Sequence, residues 1–378
     1  MDSILVGSTS RFTFRKLSSG LLSALMLVSL PAAFAQTRAT SYQFSPLAVA
    51  LDGRDHTKIK ALTEQSAYPI GVAVDDAGNA YLADQFTHTI SKITSAGVVT
   101  TLAGTPGMAG AQDGSGSAAR FNSPTGVAVD HAGNLYIADQ NNHTIRKIDS
   151  AGVVSTFAGQ AGQTGSTDGT GADARFYIPA GVAVDANGNV YVADLGNDTI
   201  RKITSEGITT TLAGTAGDSG FSNGTGRSAR FLSPKGVAVD HAGNVYVADL
   251  GNEIVRKITS GGVVTTLAGT AGQPGLADGT GLAALFNSPI SVAVDRTGNV
   301  FVTDSFNTIR RITANGTVNT VAATASARQI GPDAQLIYPS GVAVDATGNL
   351  YIADNGSNAL HKGVPASQYA DLPVTAAQ

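Results

Sequence analysis

The chain has 378 residues, 42% of them hydrophobic and 14% charged, which is long enough to bury a sizeable core. Its formal net charge of −4 argues against a nucleic-acid partner, because such a partner requires a basic surface. The chain has no cysteine, which excludes disulfides, thiol nucleophiles and zinc–thiolate sites. Its 45 glycines favour short strands joined by tight turns.

The N-terminus has the three parts of a secretory signal peptide. Three basic residues within the first 16 precede the apolar run from Leu21 to Leu30, and Ala33 and Ala35 form a small-x-small cleavage site before Gln36. The run is shorter than the roughly 20 residues of a membrane span. We therefore expect residues 1–35 to be removed, although an N-terminal anchor that stays attached is the alternative.

Removal of residues 1–35 takes away three basic residues and one acidic residue, leaving a net charge of −6. The rest of the chain contains no apolar stretch of spanning length, so we expect no transmembrane segment in the mature protein. The predicted location is secreted or periplasmic. Residues 36–55 are predicted to be a poorly ordered linker and residues 365–378 a poorly ordered C-terminal tail.

A repeat organises the rest of the sequence. The string Gly-Val-Ala-Val-Asp begins at Gly71, Gly126, Gly181, Gly236 and Gly341, and a sixth copy opens with Ser291. The copies follow one another at 55 residues, except that the last spacing is 50. Six copies at so regular an interval indicate six equivalent structural units.

Each unit predicts four short strands. In the third copy, Gly181–Val184 is followed by the tight turn Asp185–Asn189, a second strand Tyr191–Asp194 and a third strand Thr199–Ile203. A fourth strand follows, as in Val263–Ala268. Sustained helical periodicity is missing, which excludes helical repeats and a (β/α)₈ barrel, and the lack of tryptophan argues against kelch blades. The prediction is an all-β, six-bladed β-propeller of four-stranded antiparallel blades over residues 56–364.

The last unit predicts how the ring closes. It has a weak third strand near Ala359–Val364 and no fourth strand of its own. The segment Thr57–Thr63 precedes the first repeat and occupies the place of a fourth strand. We therefore predict that an N-terminal strand, Thr57–Thr63, completes the last blade, because closure removes open sheet edges.

The motif Pro-x-Gly-Val-Ala-Val-Asp-x-x-Gly-Asn-x-Tyr-x-Ala-Asp followed by Ile-Arg-Lys-Ile resembles the NHL repeat. Pro124–Asp139 and Pro234–Asp249 are among its clearest copies, and the resemblance covers residues 57–364. The resemblance implies a protein- or RNA-binding module or a receptor ectodomain such as that of the teneurins. Related six-bladed propellers include metal-dependent lyases and gluconolactonase-like hydrolases, so the fold by itself does not determine the function.

Residues that recur in every blade are expected to build the scaffold. The aspartates that end the Tyr-x-Ala-Asp strands are predicted to bond backbone amides or the arginine of strand three, not a ring of metal ions. The loops that contain Asp-Gly-x-Gly, at Asp113, Asp168 and Asp278, resemble part of a calcium loop. They lack its alternating ligands and final glutamate, so we predict no cofactor or metal site, with calcium as the alternative at these loops.

Residues that differ between blades are the candidates for binding. The links between blades and between strands two and three should emerge on one face, which we call the loop-rich face. The candidates on this face, none of them catalytic, are Phe86, His88, Asn142, His143, Asn197, Asp198, Asn252, Glu253 and Lys235. Lys235 precedes a repeat glycine near the channel mouth, where the other blades have uncharged residues. It is either an anion contact or a solvated lysine.

These observations predict a monomeric, non-enzymatic binding module that uses the loop-rich face to bind a protein or a cell-surface glycan. A metal-dependent lyase or gluconolactonase-like hydrolase with a site at the channel mouth is the alternative. Such an enzyme would need histidine, glutamate and aspartate side chains that converge there. The histidines His88 and His143 share the loop-rich face but occupy equivalent positions of neighbouring blades.

Overall fold

The structure is a computed structural model that describes residues 42–46, 68–304, 307–323 and 336–365. Residues Ala39–Gln378 form one compact unit. Within the described ranges, this unit contains six antiparallel sheets, each built on one copy of the repeat. The predicted all-β, six-bladed propeller is therefore confirmed. We number the blades 1 to 6 in the order of their repeats.

The first two strands of each blade begin and end at equivalent residues. The innermost strands are Pro69–Val74, Pro124–Val129, Pro179–Val184, Pro234–Val239, Pro289–Val294 and Pro339–Val344. The second strands are Ala80–Asp84, Leu135–Asp139, Val190–Asp194, Val245–Asp249, Val300–Asp304 and Leu350–Asp354. In each turn between them the aspartate side chain accepts a hydrogen bond from a backbone N–H of the turn, which fixes the hairpin.

The outer strands complete each sheet. The third strands are Thr89–Ile93, Thr144–Ile148, Thr199–Ile203, Ile254–Ile258, Thr308–Ile312 and Ala359–Pro365. The fourth strands of blades 1 to 5 are Val99–Ala103, Val153–Ala158, Ile208–Ala213, Val263–Ala268 and Thr317–Ala323. The predicted third strand of blade 6 is thus confirmed.

Short elements that the sequence did not predict lie in the links. Two-residue strands add a fifth strand to blades 2 to 5: Gly114–Ser115, Gly169–Thr170, Gly224–Thr225 and Gly279–Thr280. Each leads into a 3₁₀ turn: Gly116–Ala118, Gly171–Asp173, Gly226–Ser228 and Gly281–Ala283. Three further 3₁₀ turns join strands two and three: Gln140–Asn142, Leu195–Asn197 and Leu250–Asn252.

The ring closes through an N-terminal strand, but a different one from that predicted. Tyr42–Pro46 pairs antiparallel with the third strand of blade 6 and fills the place of its fourth strand. The prediction of Thr57–Thr63 for this place is wrong, and that segment itself lies outside the described residues. Tyr42–Pro46 also corrects the predicted linker 36–55, because part of it belongs to the propeller. The tail beyond Pro365 lies outside the described residues.

The hydrophobic core is divided among the interfaces between blades. Six buried clusters lie in the described part of the chain, and each joins residues of two neighbouring blades. One of them packs Val72 and Leu82 of blade 1 against Tyr351 and Leu360 of blade 6. Stability therefore comes from blades that bury their faces against both neighbours, and the ring has no open interface.

The repeat glycine is required where innermost strands meet. A Cβ atom on Gly181 would collide with the backbone carbonyl oxygen of Lys235 in the next blade, and a Cβ on Gly126 would collide with that of Ala180. The innermost strands thus pack backbone to backbone around the axis. The residues that precede these glycines are neighbours around the channel mouth as a consequence.

Blade 5 accommodates its serine through a local hydrogen-bond network. The Ser291 N–H donates to Thr303 Oγ1 at 3.0 Å, and Thr303 Oγ1 donates to the Ser340 carbonyl of blade 6 at 3.3 Å. Ser291 Oγ accepts from the Val342 N–H at 3.3 Å. Ser291 and Thr303, which both depart from the repeat, therefore act together. The Thr303 hydroxyl bonds to the Ser291 N–H and to blade 6, and the Ser291 hydroxyl also bonds to blade 6.

Candidate functional site

The loop-rich face is built by two kinds of link that bond to each other. The N–H of Gly107, in the link from blade 1 to blade 2, donates to the carbonyl of Thr87, in the link between strands two and three. Gly162 and Asn142 repeat this bond at 3.1 Å one blade later. Both kinds of link therefore emerge on one face, as the sequence predicts.

An arginine network supports this face in blades 2 to 5. In blade 3, Arg201 donates to Asp194 Oδ2 at 3.0 Å and to Asp168 Oδ1 at 2.7 Å, and its guanidinium lies 5.1 Å from the Phe176 ring centre. Arg146, Arg256 and Arg310 are equivalent to Arg201 in the other three blades. The predicted pairing of the strand-two aspartate with the strand-three arginine is confirmed in these four blades.

The carboxylates of the Asp-Gly-x-Gly loops take part in the same network. Asp113, Asp168 and Asp278 each accept a hydrogen bond from the arginine of their blade and from a threonine of the fourth strand. Across the described ranges, no group of three or more histidine, aspartate or glutamate side chains is arranged to hold a metal ion. A calcium ion at these loops would have to compete with the arginines.

Three predicted binding residues are buried in this network. Asn142 Nδ2 donates to Asp139 Oδ2 and to the Gly110 carbonyl, both at 2.7 Å. Asn197 and Asn252 make the equivalent pairs of bonds in blades 3 and 4. These asparagines tie the link between strands two and three to the link between blades, so a ligand could reach their amides only by breaking those bonds.

Four further predicted residues connect neighbouring blades. His88 Nδ1 accepts from the Ser123 N–H at 3.0 Å, and His143 Nδ1 accepts from the Ile178 N–H at 3.2 Å. Asp198 accepts from Ser233 N–H at 2.7 Å. Glu253 likewise accepts from the Ser288 N–H. All four acceptors have left-handed backbones, and the donor residues do too.

These four bonds give His88, His143, Asp198 and Glu253 a common structural role, although the residue types differ. Any side chain with an acceptor atom at the right distance can fill the position, which explains the variation between blades. Their predicted role in ligand binding stays a prediction. Burial lowers the pKa of His143, which favours the neutral ring whose Nδ1 can accept this bond.

The chain follows another path at blades 1 and 6. The N–H of Tyr68 donates to Asp84 of its own blade at 2.9 Å, and the N–H of Tyr338 donates to Asp354 at 2.7 Å. In blades 2 to 5 the equivalent N–H reaches back to the preceding blade. Neither tyrosine adopts the left-handed conformation of its counterparts. The two blades meet where Ser340 Oγ donates to the Pro69 carbonyl at 2.7 Å.

Blades 1 and 6 carry three of the five exposed aromatic residues of the described chain, the other two being Tyr177 in blade 3 and Phe221 in the link that follows blade 3. Tyr68 is 43% exposed, Tyr338 47% and Phe86 64%, and Ile337, which precedes Tyr338, is exposed as well. We call these four residues the seam patch. The equivalents of Tyr68 and Tyr338 in the other blades are Ser123, Ile178, Ser233 and Ser288. The described equivalents of Phe86 are Asn141, Gly196, Gly251 and Gly356.

Phe86 is the one residue of the seam patch that the sequence analysis predicted as a binding residue. Tyr68, Ile337 and Tyr338 were missed, because the prediction considered the links between strands two and three and not the residues just before the innermost strand. A signal was present: two blades that are neighbours only when the ring closes both have tyrosine there.

Lys235 lies on the innermost strand of blade 4 and is half-buried. In the described part of the chain its ammonium makes no hydrogen bond or ion pair. Burial lowers its pKa, and no charged neighbour counteracts this effect. The five equivalent residues are Ile70, Thr125, Ala180, Ile290 and Ser340.

The opposite face has a pocket of about 240 Å³ at the channel axis. Its lining includes the last valine of each innermost strand and the turn aspartates, for example Val74 and Asp75. Burial raises the pKa of Asp75, but hydrogen bonds from Asn79, Tyr81 and Ala77 outweigh burial and hold it below its usual value. The turn aspartates thus use their carboxylates to stabilise the turns. At the exposed rim of the pocket, His131 Nδ1 lies 2.9 Å from Asp76 Oδ2.

The ring of six four-stranded sheets places the chain in the class of six-bladed β-propellers. Its sequence matches the teneurin NHL domain over residues 107–172 and the NHL repeat over residues 176–203 and 336–362. The chain is an NHL-repeat propeller.

Among its relatives is NHL repeat-containing protein 2 of Bos taurus, which is 29% identical over 296 residues. The match covers 69% of this chain and 40% of that protein, so the chain spans less than half the length of such curated relatives.

Two solved structures from Bacteroides thetaiotaomicron have the same fold. One, a structural-genomics protein, superposes with a TM-score of 0.61 at 22% identity and covers 86% of this chain and 76% of its own. The other is an auxiliary nutrient binding protein with a TM-score of 0.59 at 14% identity, covering 79% of this chain and 69% of its own. At these identities the likeness concerns the fold alone. Within the described ranges, no helix is long and apolar enough to span a membrane.

Proposed function

We propose that the protein is an exported binding module that recognises a protein or a glycan chain through the seam patch of its loop-rich face. The observation that supports this most is that blades 1 and 6, which closure makes neighbours, carry three of the five exposed aromatic side chains of the described chain. Repetition explains residues that every blade needs for packing. It does not explain Tyr68, Phe86 and Tyr338, which differ from their counterparts and are not buried in the core.

The chemistry of the seam patch suits recognition of an extended partner. Tyrosine combines a flat apolar ring with a hydroxyl that can donate or accept, and it loses little conformational entropy when it is immobilised. The backbones of both tyrosines are fixed by buried or partly buried carboxylates, Asp84 and Asp354. The rings are therefore presented from a rigid base, which lowers the entropic cost of binding.

Export is supported by the sequence of residues 1–35, and the low charged fraction suits a module without a nucleic-acid partner. The enzyme alternative has less support. The described part of the chain contains no cluster of metal-ligating side chains, and the histidines His88 and His143 each accept a bond from the neighbouring blade.

A binding screen with the mature chain tests the proposal. A glycan array and a panel of immobilised cell-surface proteins would be probed with the chain and with the triple variant Tyr68→Ser, Phe86→Asn, Tyr338→Ser. Each substitution uses a residue from the same position of another blade, so the variant should fold. We expect a ligand whose affinity falls at least about tenfold in the variant, the range of an aromatic hot spot.

The matched control is Val263→Thr, which removes an exposed apolar side chain at a position where other blades also have valine or isoleucine. This variant should bind as the natural chain does. Equal affinity of the natural chain and the triple variant for every ligand found would refute the seam patch as the binding surface.

A further inference from the structure

We propose that the channel mouth on the loop-rich face is a binding site for a carboxylate group, and that Lys235 is the residue that recognises its charge. This site lies on the same face as the seam patch, so the inference deepens the proposed function. It names a chemical group that the bound partner would present at the axis of the ring.

The first step is the unsatisfied charge of Lys235. A half-buried ammonium is costly unless it is paired or hydrogen-bonded. Several other basic side chains of the described chain have such partners: Arg201 has two carboxylates, and Lys147 lies 5.6 Å from the ring centre of Tyr136. Lys235 has none among the described residues, although the carboxylate of Asp198 bonds to Ser233, two positions away. A half-buried ammonium without a partner in the protein is a candidate for contact with a ligand.

The second step is the surroundings of Lys235 at the mouth. Its neighbours around the ring are Ala180 and Ile290, both buried, and Ile70 lies in the blade directly across the axis. The two hydroxyls at equivalent positions are engaged: Thr125 Oγ1 donates to the Ala180 carbonyl at 2.9 Å, and Ser340 Oγ donates to the Pro69 carbonyl at 2.7 Å. The mouth therefore offers one cation and an apolar surround.

The third step is the class of ligand. A single lysine acts as a point charge. Dianionic phosphates are usually bound by the paired donors of an arginine or by several N–H groups, which a single lysine does not provide. One positive charge among isoleucine and alanine side chains matches a monoanion attached to a partly apolar body. A carboxylate has this chemistry, either in a free small organic acid or as the uronic acid of a glycan chain.

The experiment uses isothermal titration calorimetry at neutral pH with three probes: D-glucuronate, an oligogalacturonide and neutral D-glucose. We expect the acidic probes to bind and glucose not to bind. Similar affinity for the two acids identifies a free acid as the source of the carboxylate, whereas tighter binding of the oligomer by tenfold or more identifies a glycan chain. Binding of glucose as tight as that of glucuronate, or no binding of either acid, overturns the inference.

Two variants assign the effect to Lys235. Lys235→Met keeps the length of the side chain and removes its charge, and it should weaken binding of the acidic probe at least about tenfold, as expected for a lost charged contact. Lys147→Met removes one charge far from the mouth and should leave the affinity unchanged. Equal losses in the two variants would show that net charge alone attracts the acid, and would refute the site.

A second readout needs no ligand. Because the ammonium of Lys235 is half-buried and unpaired, Lys235→Met should unfold at a higher temperature than the natural chain. A lower Tm would show that the ammonium has a stabilising partner in the protein, which contradicts the inference. The seam-patch triple variant separates the two proposals. If it loses its macromolecular ligand but still binds the acid, the channel site stands alone; if only Lys235→Met affects both, the seam patch fails.

Discussion

Blades 2 to 5 and blades 1 and 6 have the same strands but are held by different contacts. In blades 2 to 5 an arginine joins the strand-two aspartate to the loop before the blade, and the left-handed residue before the innermost strand donates its N–H to the preceding blade. Blade 1 has Ser91 at the arginine position, and blade 6 has His361. The aspartates of these two blades instead accept the N–H groups of Tyr68 and Tyr338. The four similar blades provide a scaffold, and the two exceptions carry the exposed residues Tyr68, Phe86 and Tyr338.

The largest effect expected from this comparison is the loss of an arginine from blades 2 to 5. Arg201→Met leaves the buried Asp194 carboxylate with the neutral donors of Tyr177 and Asn197 but without a positive charge, which should lower the free energy of unfolding by about 3–5 kcal/mol. His361→Met in blade 6 should cost less, because Asp354 keeps the N–H groups of Ile337, Tyr338 and Gly356. Urea denaturation of both variants measures the difference.

The exposed arginine of the same network provides the control. The side chain of Arg227 is 64% exposed and lies 3.2 Å from Asp168. Arg227→Met should change the unfolding free energy by no more than about 1 kcal/mol. Similar losses for Arg201→Met and His361→Met would contradict the idea that the two groups of blades are held differently.

Closure of blade 6 should have the next largest effect. A chain that starts at residue 36 retains Tyr42–Pro46, whereas a chain that starts at residue 48 lacks this strand and leaves the edge of blade 6 unpaired. If each backbone hydrogen bond of the ladder contributes about 1 kcal/mol, the shorter chain should be less stable by about 2–5 kcal/mol. Differential scanning calorimetry of the two chains tests this, and equal Tm values would refute the role of Tyr42–Pro46.

The repeat glycine of the innermost strand allows the blade interfaces to be compared at one equivalent position. Gly181→Ala places a Cβ against the backbone of blade 4, and we expect a loss of about 1–3 kcal/mol in stability. Blade 5 already has Ser291 at this position, so Ser291→Gly should change stability by no more than about 1 kcal/mol. Thermal unfolding monitored by circular dichroism suffices. A Gly181→Ala variant as stable as the natural chain would show that the ring is less tight than the structure indicates.

The smallest effect concerns protonation of the strand-two aspartates. Burial raises the pKa of Asp194 to about 6 against the attraction of Arg201. Burial also raises the pKa of Asp354, but hydrogen bonds from His361, Ile337 and Tyr338 outweigh it and leave this pKa below its usual value. Carbon-13 NMR titration of the two carboxyl groups should therefore give one midpoint above and one below the ordinary aspartate pKa of about 4.

The two shifts have opposite consequences for stability. Folded Asp194 takes up its proton before the unfolded chain does, so its contribution to stability grows as the pH falls from about 7 towards 4. The contribution of Asp354 is present above pH 4 and is lost as the pH falls through its lower folded pKa. If both carboxyl groups titrate at the same pH, burial and hydrogen bonding do not differ between the blades in the way described.

The sequence by itself determined the architecture, because six copies of one short pattern can bury their apolar faces only by packing against one another. It also determined the turn aspartates and the arginine of strand three, since these depend on contacts within one repeat and the link before it.

The tertiary structure decided which segment closes the ring, because Tyr42–Pro46 pairs with a strand more than 300 residues away and no local pattern favours it over Thr57–Thr63. It also decided which varying residues are available to a ligand. His88, Asp198 and Glu253 connect blades, while Tyr68 and Tyr338 lie in two blades that only closure makes neighbours. Contacts between blades are long-range, so a pattern within one repeat could not predict them.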